Sequence, residues 1–104
     1  MMGLLDGRVC VVTGAGRGLG REHALLLAAE GARVVVNDLG GAIDGSGEDA
    51  GPAHEVVDEI RAAGGEAIAN TDSVTSWDGA QQLVLDAINA YGRLDVLVNN
   101  AGIL

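Results

Sequence analysis

Apolar and polar positions along the chain switch between two periods. Arg8-Val9-Cys10-Val11-Val12-Thr13 is a short β-branched run closed by glycines, the pattern of a strand buried on both faces. From Gly18 to Glu30 the period becomes helical, with Ala24, Leu27 and Ala28 on one face and Gly31 as the stop. Arg33-Val34-Val35-Val36-Asn37-Asp38 reads as a second buried strand. Leu39 to Gly51 reads as a loop, rich in glycine (Gly40, Gly41, Gly45, Gly47, Gly51) and acid (Asp44, Glu48, Asp49). Pro52 suits a first helical turn, and Ala53, Val56, Val57 and Ile60 form the apolar stripe of the helix that follows, ended by Gly64-Gly65. Glu66 to Asn70 is a third, weaker strand. Thr75 and Asp78 have capping-box spacing, with Asp in place of the preferred Glu. Ala80, Leu83, Val84, Ala87, Ile88 and Tyr91 then follow a helical period, Gly92 stops it, and Leu94 to Val98 is a fourth strand.

The order is β-α-β-α-β-α-β. Strands buried on both faces and joined by helical crossovers make a parallel sheet, and such crossovers are right-handed. The expected fold is α/β: a Rossmann-like doubly wound parallel sheet of strand order 3-2-1-4, truncated after the fourth strand.

A chain of 104 residues is one domain, and 48% hydrophobic residues provide for a packed core. Six arginines, no lysine and fifteen acids give a net charge of 6 − 15 = −9. Electrostatic capture of nucleic acid or of an anionic membrane is therefore disfavoured. With Trp77 and Tyr91 as the only aromatics, no base-stacking platform is expected. The absence of lysine excludes a phosphate-binding P-loop. Cys10 is alone within an apolar run, so no disulfide or cysteine zinc site is expected, and the setting reads as reducing and cytoplasmic. Met1 to Arg8 lacks the features of a signal peptide, and Ala24 to Ala29 is too short to span a bilayer. Asp44, Ser46, Glu48 and Glu55 fall in a calcium-loop register, but Asp49 stands where glycine belongs and Pro52 intrudes. His23 and His54 read as helix-surface residues, and Trp77 as a packing anchor. No metal site is supported.

The chemistry concentrates in Thr13-Gly14-Ala15-Gly16-Arg17-Gly18-Leu19-Gly20, the turn from the first strand into the first helix. A helix N-terminus has unpaired N–H groups and roughly half a positive charge. A diphosphate satisfies both if no Cβ blocks its approach. A tight turn alone would need one glycine with positive φ; Gly14, Gly16, Gly18 and Gly20 exceed that. The turn is expected to present its amides bare, with no protein group in the place of the anion. Asp38 ends the second strand 24 residues after Gly14, where a carboxylate can accept from adenosine ribose hydroxyls. A 2′-phosphate there would meet like charge. Arg17 could pair with that phosphate, but as a solvated ion pair it is worth only about 0–1 kcal/mol. The expected cofactor is therefore NAD rather than NADP.

The spacing T-G-x-x-x-G-x-G departs from G-x-G-x-x-G, since Leu19 stands at the third glycine position. With Asn99-Asn100-Ala101-Gly102 at the end of the fourth strand, it resembles the short-chain dehydrogenase/reductase family. The likeness covers essentially the whole chain, residues 1–104, as the N-terminal, cofactor-binding part of a family domain. VVVNDLGG from Val34, with Asn70-Thr71-Asp72-Ser73-Val74, is similar to the hydroxyacyl-CoA dehydrogenase branch of that family, found in peroxisomal multifunctional enzymes and their bacterial relatives. The resemblance implies that Leu39 joins Asp38 at the cofactor and that Asp72 and Ser73 lie beside the adenine. It also implies that Asn99 steadies the sheet centre while Ala101 and Gly102 leave room for the cofactor.

Family catalysis uses a serine and a tyrosine four residues before a lysine. Here Tyr91 is followed at that distance by Asp95, and no lysine exists. The resemblance thus implies an oxidoreductase of which this chain supplies only the cofactor site, inactive alone, with a small-molecule substrate met only in an intact enzyme. Two other readings remain: a non-catalytic nucleotide-binding fragment, and a methyltransferase, which would carry an acid ahead of the glycines where Val12-Thr13 stands. In order 3-2-1-4, Leu94 to Val98 would be a bare apolar edge, so homo-oligomer formation or edge-strand association is expected.

Overall fold

The computed structural model describes residues 3–16, 18–38, 51–74 and 76–99. Its elements are β1 (Val9–Thr13), α1 (Gly18–Ala29), β2 (Arg33–Asn37), α2 (Gly51–Ala62), β3 (Glu66–Asn70), α3 (Trp77–Tyr91) and β4 (Val96–Asn99). The four strands form one parallel sheet in the order β3-β2-β1-β4, as expected.

Alternation along β1 and β2 builds a core on each face. Cys10, Val12, Val34 and Val36 pack with Ala24 of α1 and with Ala53, Val56, Val57 and Ile60 of α2. Val9, Val11 and Val35 point the other way, against Leu83 and Ala87 of α3. The valines of β1 and β2 have no exposed surface, and burying each contributes about 1.5–3 kcal/mol. That burial fixes where β1 ends, and with it the glycine turn.

Three expectations need correction. Trp77 is 79% exposed and anchors nothing. The cap of α3 is Ser76, whose Oγ accepts from the Gly79 N–H at 2.9 Å. Capping from Ser76 makes Trp77 the first helical residue, outside the buried face; the proposed partner Thr75 lies outside the described residues. The α3 stripe is only partly buried: Leu83 and Ala87 are covered, whereas Val84 and Ile88 are exposed.

β4 begins later than the pattern suggested, because Asp95 caps the start of β1. Its Oδ2 accepts the Val9 N–H at 2.8 Å and its own N–H donates to the Val9 carbonyl at 2.9 Å. Arg93 Nη2 donates to Oδ1 at 2.7 Å. Within β4, Val96 and Leu97 are exposed, as expected for a sheet edge.

Candidate functional site

Crossovers from β1 to β2 to β3 run one way, and β4 lies on the other side of β1. The order therefore reverses at β1, and in open α/β sheets ligands bind at the carboxyl ends of the strands beside that reversal. Gly14 to Gly20 leaves β1 at this place. The chain reaches α1 through left-handed backbone at Gly14 (φ 62) and Gly18 (φ 59), which a side chain would strain. A Cβ on Gly18 would enter open space.

Gly16 has a different reason. Its N–H donates to Asp38 Oδ2 at 2.7 Å, and a Cβ there would overlap Pro52 and stand 2.7 Å from that oxygen. The Ala15 N–H donates to the Asn37 carbonyl at 2.8 Å. The bare-amide expectation thus fails at Gly16, where the protein's own carboxylate takes the N–H. It takes it because Asp38, following β2, lies against the turn, and a helix N-terminus favours negative charge. The first N–H groups of α1, from Gly18 through Leu19 to Gly20, have no intrahelical acceptor, and no described side chain caps them. Leu19 itself is 71% exposed beside this opening. Gly20 is buried on α1.

Asn99 sits opposite Thr13 in the β1–β4 register. The buried Thr13 hydroxyl donates to Asn99 Oδ1 at 3.2 Å and approaches the Val98 carbonyl at 3.4 Å, fastening the two strand ends together. Asp72 is half-buried after β3, and the Ser73 carbonyl lies under the first turn of α3. Arg17, Leu39, Ala101 and Gly102, like the calcium-register positions Asp44, Ser46 and Glu48, lie outside the described residues.

The sequence reading assigned nothing to Asn37 and Asn70, which brace this end of the sheet. Asn37 Nδ2 donates to Asn70 Oδ1 at 2.8 Å and to the Asp72 carbonyl at 3.0 Å. The available signal was a polar residue ending each of two apolar strands.

Tyr91 is half-buried under the Arg33 guanidinium, 5.8 Å from the ring centre. Burial, then the nearby Glu66 carboxylate, raises its pKa, so its hydroxyl keeps its proton at neutral pH. Burial likewise raises the Cys10 thiol, which is fully covered. His23 and His54 are exposed on α1 and α2. A cleft of about 510 Å³ lined by Asp6, Ala28, Ile60, Gly64 and Glu66 lies at the opposite, amino end of the strands. It is remote from the topological reversal and is not the candidate site.

The short chain dehydrogenase family model matches residues 8–104. The chain belongs to the short-chain dehydrogenase family. It is 64% identical over 99 residues to the peroxisomal multifunctional enzyme type 2 of Drosophila melanogaster, covering 95% of this chain and 16% of that protein. A short chain dehydrogenase from Mycobacterium avium superposes with a TM-score of 0.92 at 60% identity, covering 99% of this chain and 36% of that one. A 7α-hydroxysteroid dehydrogenase complexed with NADH and 7-oxo glycochenodeoxycholic acid has a TM-score of 0.83 at 41% identity, covering 95% of this chain and 35% of that one. The chain thus spans 36% or less of the length of these short-chain dehydrogenase relatives. The resemblance to the multifunctional-enzyme branch is borne out by the Drosophila relative. No helix among the described residues is long and apolar enough to cross a membrane.

Proposed function

We propose that residues 1–104 form the NAD-binding part of an oxidoreductase that moves hydride between nicotinamide and a hydroxyl or ketone substrate, with 3-hydroxyacyl-CoA as the substrate class. One observation carries this reading: the glycine turn lies at the reversal of strand order with the Asp38 carboxylate held against it. The residues fit the cofactor. The N–H groups of Gly18, Leu19 and Gly20, which no described side chain caps, suit a diphosphate, and the open space beside Gly18 admits it. Gly14 and Gly16 shape the approach, and the family resemblance adds Arg17 to the residues that contact the cofactor. Asp38 receives the ribose hydroxyls, with Leu39 beside it. Its carboxylate offers about four acceptor sites and holds the Gly16 N–H at one of them.

Asp72 and Ser73 take the adenine end. Asn99, steadied by Thr13, and then Ala101 and Gly102, border the nicotinamide end. The bound cofactor supplies the hydride acceptor or donor. This chain binds, orients and selects it, and Asp38 excludes a 2′-phosphate by like charge. Proton transfer is not offered by Tyr91, whose hydroxyl is held protonated beneath Arg33 and whose fourth successor is the occupied Asp95. The chain alone is therefore inactive, and partners beyond cofactor and substrate include neither nucleic acid nor membrane. A lone buried thiol suits the reducing, cytoplasmic setting.

Titration of the chain with NADH, NADPH and S-adenosylmethionine, followed by calorimetry, tests the reading. NADH should bind, more tightly than NADPH. Binding of S-adenosylmethionine without NADH would select the methyltransferase reading instead.

A further inference from the structure

β2 and β3 each end in a buried asparagine: Asn37 is 2% and Asn70 is 4% exposed. The two are register partners. A buried carboxamide must satisfy two N–H donors and an oxygen with two lone pairs. Asn70 fills all four. Its Oδ1 accepts from Asn37 Nδ2 at 2.8 Å and from the Asp72 N–H at 2.9 Å. Its Nδ2 donates to Asp72 Oδ2 at 3.0 Å and to Asp86 Oδ2 at 2.7 Å. The direction of the carboxamide is thereby set, because the reverse would aim its oxygen at two carboxylates and its NH₂ at two donors.

The backbone adds to this. The Asn70 carbonyl accepts the Asp38 N–H at 3.0 Å. One residue thus holds Asp38 through its main chain and Asp72 through its side chain. Asp86 of α3, itself accepting from Gln82 Nε2 at 2.8 Å, pins that side chain from outside. No described arginine pairs with Asp72 or Asp86, so the Asn70 NH₂ is the donor that stands between two like charges.

We infer that Asn70 is a positioning residue for the adenosine end of the cofactor: it orients the Asp72 carboxylate and, with Asn37, spaces the loops that bear Asp38 and Asp72. This rests on the proposed reading of those two acids as adenosine-binding. An oriented acceptor loses less freedom on binding than one that must be ordered by the ligand. A residue acting only on global stability would weaken every ligand of the chain alike, whereas one acting through Asp72, which has no bond to the glycine turn among the described residues, spares the diphosphate.

The test is calorimetric titration of the chain, of N70A and of D86A with ADP-ribose and with inorganic pyrophosphate, with circular dichroism to verify folding. N70A should weaken ADP-ribose by about tenfold or more and D86A by about threefold, with pyrophosphate changed by less than about twofold in both. Equal weakening of both probes, or of neither, overturns the inference. Should N70A fail to fold, D86A carries the test, because Asp86 is half-exposed on α3 and lies outside the sheet. The parent chain separates the two levels. Binding pyrophosphate without ADP-ribose removes the adenosine role of the acids and this inference with it. Binding neither overturns the cofactor reading itself.

Discussion

Replacing Asp38 by serine separates its two duties. In the ligand-free chain its carboxylate accepts the Gly16 N–H at 2.7 Å in a part-buried setting. A hydrogen bond to a charged acceptor is worth about 1.5–3 kcal/mol and a neutral one about 0.5–1.5 kcal/mol. Serine keeps a neutral acceptor, so the fold should lose about 1 kcal/mol. On cofactor binding the same charge difference applies to one or two ribose hydroxyls. NADH should weaken by about 1–3 kcal/mol, or roughly fivefold to 150-fold. NADPH should lose less or gain, because the repulsion of its 2′-phosphate disappears. Unit charges about 4 Å apart repel by about 4 kcal/mol at an effective dielectric constant of about 20, and solvent at this half-exposed site cuts that to on the order of 1–2 kcal/mol. The NADH/NADPH preference should therefore fall by about a hundredfold. Fluorescence titration with both cofactors measures the ratio, and urea unfolding measures the stability. A stability loss with the ratio unchanged within about threefold would reduce Asp38 to a cap on the turn.

Leu83→Ala, at a buried position of α3, should cost about 2–5 kcal/mol in urea unfolding, and Trp77→Ala, at an exposed one, less than about 0.5 kcal/mol; comparable losses would contradict the exposure of Trp77. Asp95 is held below its ordinary carboxylate value of 3.8 by the hydrogen bond from Arg93 first and the Val9 N–H second. Its contribution is therefore present above that value and lost as pH falls through the lowered folded one. D95N should flatten the acid limb of a stability–pH curve, and an unchanged slope refutes the assignment. The exposed β4 edge should make the chain associate with rising concentration in sedimentation velocity, and Leu97→Lys should suppress this. A parent chain that stays monomeric throughout, with protected β4 amides, counts against edge pairing.

The two-sided burial of β1 and β2 and the whole α2 stripe were legible because each follows from a period that one segment carries alone, and the strand order because right-handed crossovers of a doubly wound sheet allow few others. Ala53, Val56, Val57 and Ile60 are all buried as read. The α3 stripe was half legible: a helical period marks a face that can be buried but not how much neighbouring structure covers it, and Val84 and Ile88 stay exposed. Trp77 misled through its size: at about 100° per residue it lies off the face that Leu83 and Ala87 bury. At the candidate site, the glycine turn after β1 was legible as a local pattern, whereas the Asp38 bond to the Gly16 N–H, between residues 22 apart, was not. The Asn37–Asn70 brace was not, because it exists only through the β2–β3 register, which joins residues 33 apart. Read locally, each asparagine is a strand end with turn character.

At Gly16 the protein supplies its own acceptor for the turn. Three of the four glycines have a reason internal to the protein: backbone sign at Gly14 and Gly18, close approach of Asp38 and Pro52 at Gly16. Glycine count therefore no longer separates a phosphate site from a tight turn. Placement does, because the turn lies where the strand order reverses and β2 delivers an acid to its rim. That acid also complements the α1 dipole through its bond to the Gly16 N–H, so it has a partner within the protein itself. Under the proposed reading, the net gain from ribose would be the difference between that bond and the new ones, which bounds how strongly Asp38 could favour NAD and would put the remaining selectivity on the 2′-phosphate repulsion.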